Sequence, residues 1–202
     1  MIFLGIVNCS PVRITRIQKL SLFVARILNL GPELSHYAYD YGGFSNKMQG
    51  SEISLEEDGA VSKDQGEFTL TSYGEALLAE ASNDPRFKAF IDKLPGIVSY
   101  LESLSDWDLK HLSYIVYPDT AKNSTIREKM DLNASIVGDF EVMRDLSREQ
   151  MQKMLLQSIG SLKVLDQLKD RGSVMVSDAN GSVMLVTKDH DSFIAIKRVI
   201  RL

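Results

Sequence analysis

"LEEDGAVSKDQGEFTLTSYGEALLAE", residues 55–80, holds a helix ending, a Gly-Ala-Val step, a polar turn, an alternating strand and a new helix start in one run. Gly59 breaks the preceding helix and Ala60-Val61 leads inward. "SKDQG" is turn chemistry, and in "EFTLT" Phe68 and Leu70 alternate with polar neighbours as a half-buried strand requires. Thr71 or Ser72 then caps a helix running to about 81. The stretch reads as two short antiparallel strands between helices.

Upstream, "PVRITRIQKLSLFVARILNLG" from Pro11 sets apolar residues at 14, 17, 20, 24, 27 and 28, the spacing of an amphipathic helix with Pro11 in its first turn and Gly31 at its end. The preceding "MIFLGIV" is expected to be a buried strand or arm. In "PELSHYAYDYGGFS", Gly42 and Gly43 supply a flexible turn and Ser45 a cap for a helix over about 45–58, with Met48 and Leu55 on one face. The order helix, turn, helix, two-strand hairpin, helix predicts a winged helix over residues 1–83, the loop between the strands being the wing; a plain hairpin between helices is the other reading.

Past the polar gap "SNDP", residues 84–202 are expected to form a helical extension ending in a C-terminal β hairpin. Its helices are "PRFKAFIDKL", "PGIVSYLESL", "SDWDLKHLSYIVY", "NSTIREKM" and a long segment over 147–171, opened by a capping box of Ser147 and Gln150. In "SVMVSDANGSVMLVT" the Asn-Gly pair closes a tight hairpin, and "SFIAIKRVIRL" is a further strand. The fold class is therefore α+β, mainly helical, with an N-terminal winged helix and a small antiparallel β element at the far end. Met151, Met154, Leu155, Ile159, Leu162 and Leu165 share one apolar face of the long helix, which suits either a homodimer contact or packing against its own domain. The edge of "SFIAIKRVIRL" is a second place where another copy can pair.

Composition narrows the function. The 202 residues are 44% hydrophobic with a net charge of −4, so a sizeable core is available and the chain is no basic nucleic-acid coat. One cysteine, Cys9, excludes an intramolecular disulfide and a cysteine zinc cluster, and points to a reducing cytoplasm. Its apolar context suits a buried thiol. No run reaches the roughly 18 apolar residues of a membrane span, since Arg16, Lys19 and Arg26 interrupt the most hydrophobic helix.

Double-stranded DNA is the leading partner on this reading. Ser45, Asn46, Lys47 and Gln49 open the helix after the Gly-Gly turn, with donors and acceptors suited to phosphates and base edges. Arg13, Arg16 and Lys19 lie in a first helix without an acid before residue 33, and Lys63 sits in the wing. Against this, Glu52, Glu56, Glu57 and Asp58 outnumber Lys47 by three on the same helix, and carboxylates are repelled by phosphates. The alternative is a protein–protein interaction module whose acidic face takes a basic partner, without DNA.

"RIQKLSLFVARIL", "YDYGGFS" and "GEFTLTSYGEALL" together resemble a winged-helix family that includes the Panacea antitoxin-like domain and small prokaryotic regulators. The resemblance covers about residues 11–82 and implies a DNA-binding transcription regulator or a toxin-neutralising partner.

Catalysis finds no comparable support: phosphate-loop, nucleophile-elbow and dinucleotide motifs are missing, and His36, His111 and His190 are scattered. No enzyme, metal or cofactor is expected. Asp106, Asp108 and His111 would need to converge to act together, and "KDHDS" at 188–192 reads as a surface turn rather than a metal loop. Trp107, Leu109, Tyr114 and Tyr117 are either an aromatic surface or core, and Lys122, Arg127 and Lys129 either receive an anion or are solvated.

Overall fold

The computed structural model describes residues 1–9, 11–178 and 180–199, with Asp170 in its backbone only. Among the described residues the architecture is α+β, about 52% helix and 22% strand.

The opening run is not a strand. It forms helix α1 (Ile2–Cys9), with Phe3, Leu4, Ile6 and Val7 all buried. A helix satisfies its backbone internally and so can be enclosed on every side, whereas a strand needs a partner. Pro11 stands ahead of a short strand β1 (Val12–Arg13) instead of inside a helix, because Val12 pairs with Phe68. Helix α2 (Ile14–Ile27) follows and is buried from Ile17 to Ala25. Then come α3 (Gly31–Leu34), strands β2 (Tyr37–Tyr39) and β3 (Gly42–Phe44), and α4 (Asn46–Glu57), capped as expected by Ser45, whose hydroxyl accepts from Met48 N. The Gly-Gly segment is thus a hairpin strand, not a flexible turn: Gly42, at φ +85°, lies flat against the Tyr114 ring.

The stretch 55–80 folds as its residues direct. Strands β4 (Val61–Asp64) and β5 (Glu67–Leu70) pair antiparallel, and Thr71 caps α5 (Ser72–Asn83) by accepting from Gly74 N. The connection is two residues long, Gln65 and Gly66, both at positive φ (48° and 83°), as a tight hairpin turn requires. With β1 they make a three-stranded sheet in the order β1-β5-β4. Gly74 admits no side chain, since a Cβ there would collide with the Ala60 carbonyl.

Helices α6 (Pro85–Ile91), α7 (Leu94–Leu101) and α8 (Asp106–Val116) come next. The expected helix at "NSTIREKM" reduces to one 3-10 turn at Arg127–Lys129, and another 3-10 turn at Pro118–Ala121 follows α8. The terminal β element is larger than a hairpin: β6 (Ile136–Val137), β7 (Phe140–Leu146), β8 (Ser173–Ser177), β9 (Val183–Asp189) and β10 (Ser192–Arg198) form an antiparallel sheet ordered β6-β7-β10-β9-β8. Between β7 and β8 the single long helix is in fact two, α9 (Arg148–Ile159) and α10 (Lys163–Asp170), parted at Gly160 in the left-handed conformation. Glycine reaches that conformation without a Cβ penalty, which makes it a common helix terminator.

Both faces of this sheet are covered. Val186, Phe193 and Ala195 pack with Met151, Leu155, Leu165 and Leu168 of α9 and α10. Their neighbours Leu185, Ile194 and Ile196 turn the other way, into the main core. Burial on two sides explains why β9 and β10 carry unbroken apolar runs. Of the two readings of the apolar face of 147–171, packing against its own domain is the one found, and β10, expected to offer an edge to a second copy, is a central strand between β7 and β9. The main core runs from Phe3 to Ile196 without a break, so residues 1–83 and 84–202 share it.

Candidate functional site

The eight residues expected to meet DNA divide into two groups. Lys19, on α2, is buried, with its ammonium donating to the Gly43 carbonyl at 2.9 Å. Burial, and secondarily the charge of Lys110, pushes its pKa down to about 7. Ser45 is fully enclosed: Gln18 accepts from its backbone N at 2.9 Å and donates to its carbonyl at 3.2 Å, while its hydroxyl donates to the Leu34 carbonyl. Arg16 is turned inward, donating to Leu104 O at 2.8 Å and Glu102 O at 3.1 Å and pairing with Asp106 at 3.0 Å. It thus satisfies carbonyls of the turn that follows α7. Lys63 pairs with the nearly buried Glu52 at 3.1 Å and lies over the Phe68 ring.

Lys19, Ser45 and Arg16 therefore hold the fold together, a correction to their expected role at a phosphate. Arg13, Asn46, Lys47 and Gln49 remain exposed. Of these, Arg13 faces Glu67 at 3.5 Å, and Asn46 Oδ1 accepts from Tyr37 Oη at 3.0 Å.

The surface around α4 has a different character from a phosphate-binding one. Tyr37 and Tyr39 project from the same side of β2, and Phe44 stands opposite Tyr37 on β3. Their rings meet at centroid distances of 5.1–6.2 Å. Tyr37, Tyr39 and Tyr41 are 40%, 46% and 54% exposed, an unusual amount of aromatic area to leave in water. Between this hairpin and α2 opens an apolar slot of about 120 Å³, with Ile14, Tyr39, Tyr41 and Phe44 on its walls and Lys19 and Lys110 at its margin. Along α4 the exposed face then carries Ile53, Glu56, Glu57 and Asp58, and the end of β4 adds Asp64. The aromatic hairpin gave no sequence signal beyond the alternation in Tyr-Ala-Tyr, and was missed.

Other expectations resolve differently. Leu109, Tyr114 and Tyr117 are core, and only Trp107 of that aromatic set is exposed. Asp106, Asp108 and His111 do not converge: they bond Arg16, Ser105 and the Asp131 carbonyl respectively. Among the described residues, no group of three or more His, Cys, Asp and Glu is placed to hold a metal ion. His190 occupies a turn between β9 and β10, at φ 48°. Cys9 is exposed, not buried, because it ends α1; its thiol donates to Gly5 O at 3.3 Å, and partial desolvation together with Glu102 pushes its pKa up, disfavouring the thiolate. Among the described residues no helix is long and apolar enough to cross a membrane. No protein-family model, curated protein or solved structure matches the chain.

Proposed function

We propose that residues 1–83 act as a winged-helix module specialised for binding a basic protein, in the manner of an antitoxin, with β4 and β5 as a short wing. One observation carries this reading: the cations that DNA binding would need are already engaged, Arg16 and Lys19 within the fold and Lys63 in a surface ion pair with Glu52, while an aromatic hairpin and the acids at the end of α4 are left facing water. DNA affinity depends on neutralising phosphates, and the exposed cations Arg13, Lys47 and Lys63 stand against Glu56, Glu57, Asp58 and Asp64. The wing is too short to add a basic loop.

Protein interfaces favour the opposite composition. Tyrosine anchors at the centre of a contact supply most of its energy, and complementary charge at the rim sets partner choice. The slot between α2 and the hairpin receives an aliphatic side chain of the partner, and the acids of α4 meet its lysines and arginines.

The test combines a duplex DNA mobility shift at low salt with affinity capture followed by mass spectrometry, using wild type, Tyr39→Ser and Glu56→Lys plus Glu57→Lys. No duplex retention, together with a basic protein captured by wild type and lost in both variants, is expected. Salt-sensitive duplex retention that disappears in Arg13→Glu plus Lys47→Glu would restore the transcription-regulator reading and overturn this one.

A further inference from the structure

A second concavity lies away from the aromatic hairpin, between α2, the end of α8 and the β9–β10 turn. It measures about 470 Å³, within the range of small-molecule sites. Its walls carry Arg26, Lys122, Arg127 and Lys188 against Asp119 and Asp189, four fixed cations to two carboxylates. In a chain whose net charge is −4, a cleft of the opposite sign is a local construction.

One of the two acids is already committed. Asp119 accepts from Arg26 at 2.7 Å, which holds the guanidinium over the Tyr117 ring, 5.4 Å from its centroid. Held this way, Arg26 keeps N–H donors for a ligand and loses little freedom on binding. Lys122, Arg127 and Lys188 are in no ion pair among the described residues, and all three are exposed at the cleft.

The frame beneath them is stiff. Tyr117 Oη and Ser173 Oγ lie 3.0 Å apart, and Ser173 Oγ lies 2.9 Å from Thr187 Oγ1, a buried chain joining the end of α8 to β8 and β9. Lys188 N donates to the Gly172 carbonyl at 3.2 Å. The end of α8 beneath Arg26 and the strand that carries Lys188 are therefore tied to each other before any ligand arrives.

We infer that this cleft binds a small ligand bearing a diphosphate group, with Arg26 and Arg127 gripping phosphate oxygens through their planar forks and Lys122 and Lys188 supplying point charges. A single phosphate would leave most of the cleft and its charge unanswered, whereas a diphosphate spreads its oxygens over all four cations. The site is independent of the aromatic hairpin and stands whether or not the protein-binding reading holds.

Calorimetric titration of the whole chain with pyrophosphate, ADP and sulfate at matched ionic strength tests it. Saturable one-to-one binding of pyrophosphate, and sulfate binding weaker by about tenfold or more, is the expected result. Arg127→Ala and Lys188→Ala each weaken pyrophosphate binding about tenfold, and both sit at exposed positions where folding is not at stake. Tighter binding of ADP than of pyrophosphate supports the site and identifies a nucleotide as the source. Equal or weaker binding of ADP supports it with a non-nucleotide diphosphate. Absence of saturable pyrophosphate binding, equal binding of sulfate, or binding unchanged in both variants overturns the inference.

Discussion

Lys19 donates from within the core to the carbonyl of Gly43, 2.9 Å away, tying the aromatic hairpin to the central helix. A lysine in that position is stable as a neutral amine more readily than as a cation, and its pKa of about 7 against an ordinary 10.5 follows from lost hydration. Below pH 7 both folded and unfolded chains hold the proton, and the burial penalty is felt in full. Between about 7 and 10.5 only the unfolded chain binds it, so this group makes stability rise with pH. Lys19→Met is expected to stabilise the protein at pH 6, by about 2 kcal/mol after the lost hydrogen bond is counted, and to flatten the rise. Urea unfolding midpoints across that range measure both effects.

His36 works at the acid end. Its ring, 2.9 Å from Ser21 Oγ, is pushed down to about 4 by burial and then by Lys19 and Arg26. The unfolded chain takes up a proton near 6.5 while the folded chain refuses it until about 4. Stability from this group is thus complete above 6.5 and lost as pH falls through that window. His36→Gln should remove that part of the acid sensitivity, seen as a shallower fall in thermal midpoint between pH 6.5 and 4.

Gly42 cannot accept a side chain. It combines a φ of +85° with a Tyr114 ring where a Cβ would stand. Gly42→Ala is expected to cost about 3 kcal/mol, from backbone strain and overpacking together. Gly66→Asn, at φ +83° but with open space around it, should change stability by less than about 1 kcal/mol. Chemical denaturation of the two variants separates the clash from the dihedral.

Arg16→Met tests whether that guanidinium serves the fold. It would leave the carbonyls of Glu102 and Leu104 and the Asp106 carboxylate without their donor. A loss of about 1–3 kcal/mol in unfolding free energy is expected, with hydrogen exchange accelerating in residues 101–106.

What the sequence displays are features whose signal is local. Ser45, Thr71 and Ser147 cap the helices expected of them, the last as a full capping box, and the strands at 61–70 follow from alternation and turn chemistry. What it conceals depends on distant partners. "MIFLGIV" is apolar throughout, so its period says nothing about helix or strand. Gly160 divides the segment 147–171 although apolar spacing continues on both sides of it, so the spacing hides the break. The fate of each cation was decided by residues far along the chain: Arg16 meets carbonyls more than eighty positions away, and Arg26 meets Asp119. Spacing rules cannot reach such pairings, and for that reason a basic first helix looked like a surface.

The position of β10 has a consequence for how the molecule comes into being. Because β7 and β9 touch only through it, the sheet has no centre until residues 192–198 have emerged from the ribosome. Until then β9 pairs only with β8 and β7 only with β6, each leaving one apolar edge open, and seven late residues close both.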